Sequence, residues 1–155
     1  HCVNSMSMKF ARPTADGQYY CEKGWEYYKA EEYEQAIGYY SIAIEHIQTG
    51  VWKSQSYHGR GWSYTKLGQH QRAIQDYDEA IRLDPDYDSA YSHRGQSYAA
   101  LGQHQRAIQD YDKAIQLEPS APRYNNRGIS HGELGQYTKQ AADKAKACSL
   151  DSQHC

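Results

Sequence analysis

The sequence predicts an all-α protein of about eight helices, arranged as four antiparallel pairs that stack into a solenoid. Three observations carry this expectation. A long segment recurs at a fixed shift, glycine follows leucine at the same internal place in three units, and an acidic residue followed by proline closes two of them.

The recurrence is read directly. Leu67-Gly68-Gln69-His70-Gln71-Arg72-Ala73-Ile74-Gln75-Asp76-Tyr77-Asp78 returns as Leu101-Gly102-Gln103-His104-Gln105-Arg106-Ala107-Ile108-Gln109-Asp110-Tyr111-Asp112, a shift of 34 residues. A fixed period of this length marks a supersecondary unit that buries its apolar face only by stacking on its neighbours.

Each unit reads as helix A, a tight turn, and helix B. Gly68, Gly102 and Gly135 follow Leu67, Leu101 and Leu134, where a glycine ends helix A by taking the left-handed conformation. Asp84-Pro85 and Glu118-Pro119 end helix B, because proline disfavours helical geometry in the residue before it and has no N–H to give the preceding turn. Gly61 with Ala73, and Gly95 with Ala107, fall where the two helices cross most closely. Ala80 and Ala114 fall where the next pair leans in.

The ordered series Gly61, Tyr64, Gly68, Ala73, Tyr77, Ala80, Pro85 and its successor Gly95, Tyr98, Gly102, Ala107, Tyr111, Ala114, Pro119 resemble the tetratricopeptide repeat (TPR). An earlier unit keeps Gly24, Tyr27, Ala36, Tyr40 and Ala43, and a fourth keeps Gly128, Gly135 and Ala147. The resemblance implies a right-handed α-α superhelix. It divides the chain into an N-terminal extension (1–16), a first repeat with a longer junction (17–53), a second (54–87), a third (88–120), a degenerate capping repeat (121–151) and a short tail (152–155). The first unit has Ala30-Glu31-Glu32 where its neighbours have a glycine, and its junction to the second is three residues longer. The fourth has Gln140 and Lys144 in place of Ala and Tyr, as suits an end repeat that faces water.

A second regularity shares this register. Arg60, Arg94 and Arg127 each precede an acid by 16 residues, predicting the intra-repeat ion pairs Arg60/Asp76, Arg94/Asp110 and Arg127/Asp143. They recur with the packing residues, so they read as structural clamps.

In TPR proteins helix A lines the concave face that holds a peptide or partner segment. By repeat position the resemblance implies an inward set of Gln18, Cys21, Trp25 and Tyr28, then Gln55, His58, Trp62 and Thr65, then Ser89, Ser92, Gln96 and Ala99, then Asn125, Ile129 and Gly132. Trp25 and Trp62 hold one position in consecutive units and form an aromatic patch with Tyr28, edged by Lys29 and Lys66. Aromatic anchors suit binding hot spots, and tryptophan on a helix equally serves packing. Both readings stand. The Lys, Asn and Arg positions with which some TPR domains grip a chaperone's terminal carboxylate hold Cys21, Trp25, His58, Trp62, His93 and Asn126 here, so that activity is not expected.

The balance of charge, 17 Lys and Arg against 19 Asp and Glu for a net charge of -2, creates no field to attract nucleic acid. Mean hydropathy is -1.00, and no apolar run approaches the roughly 18 residues of a membrane span. No phosphate-binding loop, dinucleotide fingerprint or nucleophile elbow occurs, and no Cys-x-x-Cys or His-x-x-x-His spacing suggests a built metal site. The expectation is a protein without catalysis, cofactor or metal whose partner is a protein or peptide. A self-associating spacer and a TPR-type secretion chaperone are the alternatives.

The four cysteines, Cys2, Cys21, Cys148 and Cys155, lie toward the two ends. Of three full pairings, the local one, Cys2 with Cys21 and Cys148 with Cys155, would staple both ends. An unbroken helix from Cys148 to Cys155 would hold the two Cα atoms about 10.5 Å apart, beyond bridging range, so helix B of the fourth unit must end near Leu150. The run Lys146-Ala147-Cys148-Ser149-Leu150 also resembles helix ends in secreted, cysteine-rich helical-repeat proteins. Bridges imply a periplasmic or secreted protein, and four reduced thiols imply a cytosolic one. The start at His1 fits a removed targeting segment or a start inside a longer protein.

Overall fold

The computed structural model describes residues 15–154. Their elements are α1 (Ala15–Lys29), α2 (Tyr33–His46), α3 (Val51–Lys66), α4 (His70–Leu83), α5 (Asp88–Ala100), α6 (His104–Leu117), α7 (Ala121–Glu133) and α8 (Tyr137–Leu150), with a 3-10 turn at Ser152–His154. Among the described residues there is no strand. Two compact units divide the chain, one ending at Pro85 and holding α1 to α4, the other beginning at Asp86 and holding α5 to α8. The N-terminal extension, with Cys2, and the tail residue Cys155 lie outside the described residues.

Each A helix ends in the same motif. At α3 the Gln69 N–H donates to the Tyr64 carbonyl (2.9 Å) and the Gly68 N–H to Thr65 (3.0 Å), with Gly68 at φ 72°. This Schellman pattern satisfies carbonyls the helix leaves open. The same bonds close α1, where Glu32 N–H donates to Tyr27 and Glu31 N–H to Tyr28. There Glu31, at φ 62°, supplies the left-handed residue. The missing glycine therefore alters the strain and leaves the turn intact. Glu31→Gly is expected to raise unfolding free energy by about 0.5–1 kcal/mol, and Gly68→Ala to lower it by about 1 kcal/mol; denaturant titration of both variants checks the signs.

The B helices stop where the sequence requires. Asp84 (φ -140°) and Glu118 (φ -148°) are extended just before their prolines. The three additional residues before the second repeat lengthen a helix, since α3 has 16 residues against 13 in α5 and α7. Trp52 explains this, because it packs against the buried cluster of Cys21, Tyr28, Ala36, Tyr40 and Ala43, and that burial favours continuing the helix over a loop.

Ring-on-glycine contacts set the spacing within each pair. A Cβ on Gly24 would stand 2.8 Å from the Tyr40 ring, on Gly61 3.0 Å from Tyr77, and on Gly95 2.9 Å from Tyr111. Tyr40, Tyr77 and Tyr111 are fully buried as a result. In the fourth pair, where Lys144 replaces the tyrosine, Gly128 meets the Asp143 side chain and the Gln140 backbone instead. The buried residues of α8 are Asp143 and Ala147, in keeping with a terminal helix whose other faces meet solvent.

Candidate functional site

The three arginine–aspartate spacings become three forks. Arg60 donates to both carboxylate oxygens of Asp76 (2.8 and 2.7 Å), Arg94 to Asp110 (2.8 and 2.6 Å), and Arg127 to Asp143 (2.9 and 2.5 Å). Each guanidinium also lies over a tyrosine ring three residues earlier, Tyr57, Tyr91 or Tyr124. Burial raises the Asp76 carboxyl above its ordinary value, outweighing the downward pull of Arg60. Hydrogen bonding to Asp143 raises Arg127. The first and last forks reach further than the sequence suggested, to the preceding B helix. Arg60 donates to Ser41 of α2 (3.0 Å) and Arg127 to Asp112 of α6 (2.7 Å). Ser41 and Asp112 occupy one repeat position, and that shared register was the available signal. Every such group is committed to another, so the forks are clamps.

The inward set divides into buried and accessible parts. Cys21, Tyr28, His58 and Ser92 are buried, and Thr65 is tied to Gly61 and the Tyr77 hydroxyl. Within the first unit Trp25, Tyr28 and Trp62 gather as expected. The Trp25 and Tyr28 rings stack at 5.5 Å, Trp25 and Trp62 at 6.1 Å, and Tyr28 meets Trp62 at 4.5 Å. His58 lies 6.0 Å from Trp62, and Lys29 Nζ lies 5.9 Å from the Trp25 ring. Both indoles remain half-exposed. Burial pushes the Tyr28 hydroxyl up. Gln18 bonds to Glu22, Lys66 is exposed, and Gln55 has a buried, unpaired Oε1.

The second unit has a recess of about 210 Å3 lined by Gln96, Ala99, Tyr111, Asn126, Ile129 and Ser130. Gln96, Ala99 and Ile129 belong to the expected inward set. Asn126 lines the recess in place of its neighbour Asn125.

Tyr33, His70, His104 and Tyr137 fill one repeat position and each opens a B helix, the first three part-buried and Tyr137 exposed. Among the described residues no group of three His, Cys, Asp or Glu could hold a metal ion, and no helix is long and apolar enough to cross a membrane. Neither Cys21 nor Cys148 is a free thiol, and their expected partners, Cys2 and Cys155, lie outside the described residues. The α8 helix does end at Leu150.

One buried charge escaped the sequence reading. Arg123 of α7, 8% exposed, donates to the Ala114 carbonyl (3.3 Å), the Glu118 carbonyl and the Asp88 carboxylate, joining α5, α6 and α7. The matching positions of the preceding repeats hold Ser56 and Ala90, so no periodicity marked it.

Two family models match the chain. A TPR repeat model covers residues 61–102 and a tetratricopeptide repeat model covers residues 89–120. Among solved structures, MamA is similar at 22% identity and TM-score 0.81, over 89% of this chain and 80% of that one. YrrB, described as a TPR protein with an unusual peptide-binding site, is similar at 19% identity and TM-score 0.77, over 91% and 72%. TTC0263, a thermophilic TPR protein of Thermus thermophilus, is similar at 20% identity and TM-score 0.73, over 88% and 75%. No curated protein sequence matches. These likenesses identify an all-α helical-repeat solenoid.

Proposed function

Given that this chain is a tetratricopeptide-repeat protein, we propose that it is a non-catalytic interaction module that takes a peptide or partner segment along its A helices, acting as a scaffold or assembly factor. The observation that supports this most is the cluster of Trp25, Tyr28 and Trp62, which leaves two indoles half-exposed on helices A of consecutive repeats beside Lys29. Large rigid aromatics bury much area at small entropic cost when a partner settles on them. Affinity capture with the parent chain is expected to retain a specific protein that Trp25→Ala/Trp62→Ala loses by at least about tenfold, a loss of about 1.4 kcal/mol. Equal retention by both would count against capture at this face.

The chain is further proposed to work in an oxidising compartment, in the periplasm or outside the cell, with Cys2–Cys21 and Cys148–Cys155 bridges. The absence of a free thiol at Cys21 and Cys148 supports this, as does the end of α8 at Leu150, which meets the geometric condition for the second bridge. Thiol titration of the unreduced, denatured protein should find no free thiol, and peptide mapping should return those two pairs. Four free thiols would favour a cytosolic secretion chaperone.

A further inference from the structure

The recess of the second unit has polar groups without protein partners. Ser130 is 1% exposed, and its Oγ is buried with no hydrogen-bond partner. Its repeat equivalent Ser63 instead donates to the Gly59 carbonyl at 2.9 Å. The Tyr77 hydroxyl pairs with Thr65 at 3.0 Å, whereas Ala99 stands at the equivalent place in the next repeat and leaves the Tyr111 hydroxyl without that partner. The Gln96 and Asn126 side chains make no hydrogen bond among the described residues. Around these groups Ala99 and Ile129 supply apolar wall, and no charged side chain lines the recess.

A buried hydroxyl left unpaired is costly, and native structures leave few of them. We propose that the recess is a subsite for one uncharged carboxamide, the side chain of a glutamine in the captured chain. This rests on the reading that the A helices hold a polypeptide. The volume, about 210 Å3, is below the roughly 300 Å3 at which drug-sized sites begin and suits a single side chain. Glutamine methylenes would lie along Ala99 and Ile129, while the amide, donor and acceptor at once, would meet Gln96 and Asn126. It would also meet Ser130 once that side chain turns to another staggered rotamer that brings its buried Oγ to the recess wall. A carboxylate would be desolvated there with no counter-charge. An aliphatic side chain would leave Ser130 unpaired.

The test is a titration of the full chain with N-acetylglutamine methylamide, followed by NMR, with the glutamate and leucine analogues as parallel arms. The glutamine probe is expected to shift the amides of Gln96, Ile129 and Ser130 saturably, with the glutamate probe weaker by at least about tenfold, as an uncompensated buried charge requires. Ser130→Ala removes a hydroxyl that has no protein partner to lose, so the fold stays intact. Glutamine binding should still fall about fivefold for the lost hydrogen bond, with leucine binding unchanged. Absence of saturable binding by the glutamine probe, equal binding of glutamine and leucine or glutamate probes, or indifference to Ser130→Ala overturns the subsite. Capture along the A helices is judged separately by the Trp25→Ala/Trp62→Ala experiment, so the two can fail independently.

Discussion

Asp76→Leu alone is expected to lower the unfolding free energy by roughly 3 kcal/mol, because it leaves the Arg60 guanidinium half-buried without its carboxylate. Arg60→Met combined with Asp76→Leu is expected to cost less than about 1 kcal/mol. The reason lies in the balance at Asp76, whose carboxyl is raised by burial more than it is lowered by Arg60. At Asp76 desolvation outweighs attraction, whereas at Arg60 burial is outweighed by the combined hydrogen bond and charge of the same partner, which raise the guanidinium. The opposed balances leave a small net stabilisation, so the fork contributes register more than stability. Denaturant titration of the parent, both single variants and the double variant measures the coupling directly. A double variant that loses as much as Asp76→Leu alone would show that the intact fork is strongly stabilising and that this balance is wrong; additive losses would show no coupling between the two side chains.

Arg123→Ala is expected to cost about 3 kcal/mol, since it leaves the Ala114 and Glu118 carbonyls and the Asp88 carboxylate without their shared donor. Arg123→Lys should recover little of this, because a compact ammonium lacks the planar fork that serves partners on two helices at once. An equal loss on replacing the exposed Arg106 would mean that position 123 has no special part in joining α5, α6 and α7. Full rescue by lysine would mean that charge alone is needed there.

What the sequence made legible were demands that local physics imposes again at each repeat. Gly68, Gly102 and Gly135 are left-handed, Asp84 and Glu118 are extended before proline, and the arginine–aspartate spacing closes into forks, because each asks a particular residue for one backbone or charge geometry. Glu31 shows the converse, for the Schellman bonds at the end of α1 impose the left-handed conformation on a residue that does not favour it. Gly59 was missed because its reason is Tyr40, which wedges between Gly24 and Gly59, and the matching positions of the later repeats hold His93 and Asn126 instead of glycine. Arg123 was missed for the same kind of reason.

The candidate site was only partly legible. Repeat position placed the expected residues on the A helices, but depth depends on which neighbours lean in. Tyr28, His58 and Ser92 are therefore buried while Trp25, Trp62 and Ile129 retain exposure. Ser130 and Asn126 line the recess together with Ala99, which stands where the preceding repeat has Thr65, a difference between repeats that a search for similarity passes over.

The most direct test of partner capture is photo-crosslinking from single positions of the full chain in an extract of its source cell. A benzoylphenylalanine at Trp62, Gln96 or Ile129 on the A helices is compared with one at the exposed Gln75 or Gln109 on the B helices. Capture by the A helices predicts one common crosslinked polypeptide from positions 62, 96 and 129 and none from 75 and 109. The same polypeptide crosslinked from 75 and 109, with positions 62, 96 and 129 silent, would contradict it.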